Sequence, residues 1–155
     1  MAILRSRRSE DGVVAVEFAL VMLPLVVLVF GAIQYGLYFW AMQGGSDIAR
    51  SAARDSAVGD VTTVTCADFR AGIRDQINHL ASDGTTATIT RTFVDAQTPA
   101  NGLDPGDKVQ ISISFKSTDL HFPFVPFIHD GRVTSTATAR VDYVVDPDHP
   151  SETCS

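Results

Sequence analysis

The chain has 155 residues, room for one membrane segment and one domain of roughly 100 residues, near the lower limit of what a single hydrophobic core supports. Its formal net charge is -6, from 12 Lys and Arg against 18 Asp and Glu. That balance argues against a nucleic-acid partner, because phosphate binding needs a cationic face.

Arg5, Arg7 and Arg8 open the chain, Gly12 follows, and the apolar run from Val13 to Trp40 then carries a single charged residue, Glu17. The run exceeds the ~20 residues that cross a hydrocarbon core and is too long for the apolar part of a cleavable secretory signal. No small-x-small cleavage site follows it, where Ala41, Met42 and Gln43 come after Trp40. The run is therefore expected to stay in the membrane as one pass. Arginines flank only its N-terminal end, which the positive-inside rule keeps in the cytoplasm, while Tyr35, Tyr38, Phe39 and Trp40 form an aromatic belt at the other end. The expected organisation is a cytoplasmic leader over 1–12, a transmembrane helix over 13–42 and an exported α+β domain over 43–155. Pro24 lacks a backbone donor and frees the carbonyl of Leu20, so a modest kink is expected there.

Glu17 costs about 2 to 3 kcal/mol at mid-bilayer, less near the cytoplasmic edge, and an ionisable group in a membrane helix usually marks function. One reading has the side chain snorkel to the headgroups. The other starts from its spacing: a cut between Gly12 and Val13 would leave an ammonium on Val13, one helical turn from Glu17. The amine of an adjacent copy could then pair with the carboxylate, fixing the axial register of neighbouring helices more than their net affinity.

The string RRSEDGVVAVEFALVMLPLVVLVFGAIQYGLYFWAMQGGSDIARSAAR, residues 7 to about 54, resembles the TadE-like proteins, minor pseudopilins of the tight-adherence (Flp) pilus machinery. The resemblance implies a single-pass protein of the bacterial inner membrane, N-terminus cytoplasmic, with its C-terminal domain periplasmic or extracellular, in the membrane or in the pilus. It further implies leader cleavage after Gly12 by a prepilin peptidase, Val13 as the new N-terminus and Glu17 as the subunit-pairing carboxylate. Implied partners are the peptidase, a companion minor pseudopilin, the major Flp pilin, inner-membrane platform proteins and the lipid bilayer. Glu10 and Asp11 beside the glycine depart from the family's pattern.

Beyond the membrane run, Gly44 and Gly45 read as a hinge, and Ala49, Ala52, Ala53, Ser56 and Ala57 give the following helix a small-residue face suited to close packing. Thr65 with Asp68 three residues later signals a helix start, and Phe69, Ile73, Ile77 and Leu80 form one apolar stripe that Asp83 and Gly84 stop. Three period-two segments follow. The clearest is KVQISISFKS, where Val109, Ile111, Ile113 and Phe115 face one way and Gln110, Ser112, Ser114 and Lys116 the other. In Thr85 to Asp95, Arg91 falls on the inward side between Ile89 and Phe93. The third, Arg132 to Val145, sets Val133, Ala137, Val141 and Tyr143 against Thr134, Thr136, Thr138 and Arg140. A turn-rich TPANGLDPGD joins the first two strands. The expected architecture is an α+β fold, a small three-stranded antiparallel sheet covered on one face by helices, and the TadE-like resemblance implies that it is type IV pilin-like.

The segment LHFPFVPFIHDG carries Phe122, Phe124 and Phe127 between prolines, so it is not a central strand. It either caps the core or presents an apolar surface to a partner or the outer leaflet. Cys66 and Cys154 are the only thiols, and both lie on the exported side, where disulfides persist. They are expected to pair; two free thiols or an intermolecular bond through Cys154 are the alternatives. His79, His121, His129 and His149 lack metal-ligand spacing, and Asp142, Asp146 and Asp148 lack that of a calcium loop. No nucleophile elbow or phosphate loop is present, so neither metal, cofactor nor catalysis is expected. The rival to the pseudopilin reading is an uncut, signal-anchored periplasmic binding domain, with a membrane-tethered enzyme third.

Overall fold

The structure, a computed structural model, describes residues 8–58, 64–81, 86–94, 104–120, 130–142 and 154, with side chains from residue 12 onward. Two helices and three strands make up the described fold: α1 (Arg8–Val58), α2 (Cys66–Ile77), β1 (Thr88–Val94), β2 (Lys108–Lys116) and β3 (Arg132–Arg140). The class is α+β, as the sequence pattern implies.

α1 is one helix of 51 residues that runs through Pro24 and through Gly44–Gly45 without interruption. The hinge expected at the two glycines is absent. A Cβ on Gly44 would lie 2.5 Å from Leu80 Cδ1, and one on Gly45 would lie 2.9 Å from the Phe115 ring and 3.2 Å from Ser135 Oγ. These glycines let α1 approach its neighbours; the helix keeps its course because packing on both sides offsets the propensity of about 1 kcal/mol that each glycine forfeits relative to alanine.

α2 starts as its sequence implies. The Thr65 hydroxyl accepts a bond from the Asp68 amide at 3.2 Å and donates to Asp68 Oδ2 at 2.7 Å, a cap that serves one of the amides the first turn leaves open. The helix ends at Ile77, earlier than Asp83; Leu80 lies in the turn that follows and is buried nonetheless.

The sheet is antiparallel in the order β1-β2-β3. Its registers run from Thr88↔Ser114 to Val94↔Lys108 and from Lys108↔Arg140 to Lys116↔Arg132. Val109, Ile111, Ile113 and Phe115 are fully buried on the inward face. The outward face carries the hydroxyls of Ser112, Ser114, Thr134 and Thr136, which bond across the strands. β3 stops at Arg140, and the expected continuation past residue 142 lies outside the described residues, as do Tyr143 and the loop 121–129 with Phe122, Phe124 and Phe127.

α1 lies across β3 and β2, and α2 packs beside it. The contact is made of small groups on both sides: Gly45, Ala49, Ala52, Ala53, Ser56 and Ala57 on the helix are buried, and they meet a strand whose inward residues include Ser135, Ala137 and Ala139. That stripe recurs at helical spacing. Bulk is supplied by β2 and by Ile73 and Ile77 of α2, so the small faces of α1 and β3 close the core without overfilling it.

Candidate functional site

Two features of α1 frame the site. Residues 12–33 contain no buried side chain, and Val13, Val16, Phe18, Leu20, Leu23 and Leu28 each expose more than 60% of their area. At 1.5 Å per residue, Val13 to Ile33 spans about 31 Å, the thickness of a hydrocarbon core. An apolar helix of this length and composition, with most of its side chains exposed, suggests a single-pass membrane anchor.

Gly12, Val13 and Glu17 lie at the start of this stretch, in continuous helix. A Cβ on Gly12 would meet nothing within 4 Å, so the backbone there stands clear of the domain. Val13 and Glu17 are exposed and four residues apart, which puts them on one side of the helix, one turn from each other. No described residue forms an ion pair with Glu17. The carboxylate therefore stands on a bare helix surface with apolar neighbours.

The second feature begins at Gln34, a residue the sequence reading passed over as one polar position in an apolar run. Its side chain is buried to 3% exposure. Nε2 donates to the Thr118 carbonyl at 3.3 Å, and Oε1 accepts from the Leu120 amide at 2.8 Å. The domain thus takes hold of α1 where the exposed stretch ends. Hydropathy extends the membrane helix to residue 42, but Ala41 is fully buried and Tyr38 packs on the domain core. Of the aromatic belt, Phe39 and Trp40 stay about half exposed, with Phe39 stacked on Tyr35.

Cys66 and Cys154 are joined by a disulfide with Cα atoms 5.4 Å apart. Cys154 also pairs with β1 through its backbone, its amide donating to the Arg91 carbonyl at 3.0 Å and its carbonyl accepting from the Arg91 amide at 2.9 Å. The bridge ties the chain's end to the first residue of α2 and covers a sheet edge that would otherwise present open backbone groups. Arg91 is buried on the inward face, as its register implies, and its guanidinium lies 4.6 Å from the Phe69 ring centroid and 5.5 Å from that of Phe93. A planar cation between two rings is a stable way to bury that charge.

His79 is exposed, His121, His129 and His149 lie outside the described residues, and among the described residues no group of three or more His, Cys, Asp or Glu is placed to hold a metal ion.

Residues 12–54 match the family model described as TadE-like protein. That segment is TadE-like. The match begins at Gly12 and takes in Glu17, the exposed span, Gln34, the two packing glycines and most of the small-residue face. It points to a Tad pilus-associated protein. α2, the sheet and the disulfide lie beyond the TadE-like segment. No curated protein matches the chain, and no solved structure does.

Proposed function

We propose that this chain is a minor pseudopilin that helps assemble or prime a Flp/Tad-type pilus, acting by helix packing after its leader is removed. The observation that carries the reading is the coincidence of the TadE-like match, which starts at Gly12, with a helix whose first 22 matched residues include no buried side chain. A helix that leaves its apolar side chains this exposed is built to pack against lipid or other helices. In this reading the leader over 1–12 is cytoplasmic, the peptidase cuts between Gly12 and Val13, and the domain is exported. The freed ammonium of Val13 on one subunit then meets Glu17 of a neighbour in the assembly, the companion pseudopilin or the major pilin. In hydrocarbon that pair sets register, since the wrong axial stagger leaves an uncompensated charge on each helix.

The test is Glu17→Ala in cells that express the rest of the machinery. Membrane insertion should persist while pilus assembly falls to background. Full piliation by Glu17→Ala cells would remove the ion pair from the account.

A further inference from the structure

The end of the sheet nearest the exposed span carries an unusual charge arrangement. In the β2–β3 ladder Lys116 stands directly opposite Arg132, and both are exposed. Like charges opposed across a ladder are unfavourable, and these lie in a chain whose formal charge is -6. The Arg132 guanidinium is held on the outward face by its Nε donating to Ser114 Oγ at 3.1 Å. Asp119 is half-buried and engaged within the domain. Asp130, in the turn that precedes Arg132, is exposed, and no ion pair among the described residues joins it to either cation.

The position of this pair is fixed by Gln34. Thr118 and Leu120 bond to that side chain, and Lys116 precedes Thr118 by two residues, about 7 Å of strand. Further along α1, Gly45 lies at Phe115 and Ser135, and the Ala57 carbonyl accepts from the Asp142 amide at 3.3 Å. β3 therefore runs in the same direction as α1, with Arg132 at the near end and Arg140 at the far end. Gln34 follows directly on the ~31 Å apolar span. The Lys116–Arg132 pair thus stands within about 10 Å of the end of the hydrocarbon, inside the headgroup layer and a Debye length. Leu120, nearly half exposed beside the same anchor, adds an apolar contact at that level.

We propose that Lys116 and Arg132 form a seat for phosphate headgroups of anionic lipids in the leaflet on the domain's side, fixing the domain upright on the bilayer. The inference rests on the reading of α1 as a membrane span. Its occupant follows from placement, because a bilayer that fills the exposed span brings its headgroups to these two cations. The far end of the same ladder supplies the contrast: Lys108 is opposite Arg140, the same pairing a strand's length away, with the Arg140 guanidinium lying against Gly106 in the distal turn.

Lys108 and Lys116 are the only lysines in the chain, so acylation by a water-soluble amine reagent, read by peptide mass spectrometry, compares the two ends in one sample. The full chain is placed in nanodiscs of phosphatidylglycerol or of phosphatidylcholine, with an uncharged detergent as reference. The Lys116:Lys108 rate ratio should fall about fivefold in phosphatidylglycerol relative to detergent, recover in 0.5 M salt, and fall much less in phosphatidylcholine. Arg132→Gln should weaken the protection of Lys116. An unchanged ratio in a chain that does enter the nanodisc overturns the headgroup seat and leaves the span intact. Equal protection in both lipids, indifferent to salt, overturns recognition by charge. Failure to enter the nanodisc overturns the span and the seat together.

Discussion

Gly45 is the point of closest approach between helix and sheet, and its missing side chain is filled by the Phe115 ring and the Ser135 hydroxyl. Gly45→Ala gains helix propensity but drives a methyl into a ring fixed on β2, so we expect a net loss of about 1 to 3 kcal/mol. Gly44→Ala meets the tip of Leu80, which sits in a turn and has rotamers to spare, so it should cost clearly less. Thermal unfolding of the two variants of the full chain in detergent checks the order; equal Tm losses would mean that the helix does not press on Phe115. Gln34→Ala leaves the Thr118 carbonyl and the Leu120 amide without their partner, at about 1 to 3 kcal/mol. It should lower Tm and speed exchange of the Leu120 amide, and an unchanged exchange rate there would contradict the anchoring role. None of this was legible locally. A glycine pair without its partner reads as flexibility, and one glutamine in an apolar run reads as a tolerated polar residue, because the groups that give each a purpose lie more than 30 positions away in sequence.

At the scale of elements the pattern was more informative. The Thr65–Asp68 cap, the Ile73–Ile77 stripe and the alternation in β2 are local properties, and each element formed where its pattern lay. Ends were less certain: the apolar stripe of α2 runs on to Leu80 after the helix has stopped, since burial needs only a turn to deliver that side chain. The sheet's exposed flank depends on an element no periodicity could announce, a single residue at position 154 bonded to Arg91 on both sides and to Cys66 through sulfur. The bridge encloses a separation of 88 residues, for which loop-closure entropy gives about 4 to 5 kcal/mol. Cys66→Ser with Cys154→Ser should lower Tm markedly, and it should speed hydrogen exchange at the Arg91 amide more than at amides of β2. A uniform change across all three strands would show that the tail does not guard the β1 edge specifically.

For the whole molecule, one helix performs two tasks in succession. Its first part leaves its apolar side chains exposed over about one bilayer thickness, and its second part, from Gln34 to Ala57, supplies the small-residue wall of the domain core. Any force on the bare part is thereby delivered to the sheet through rigid helix instead of a linker, which suits a subunit whose head must follow its stem. The proposed role needs one covalent event to make that stem competent: removal of the residues ahead of Val13, so that an amine appears one turn from Glu17. Intact-mass measurement on protein extracted from membranes of cells that process other prepilins is the direct test. The account predicts a chain beginning at Val13, with Cys66 and Cys154 oxidised; a chain that still carries residues 1–12 in those cells would contradict it.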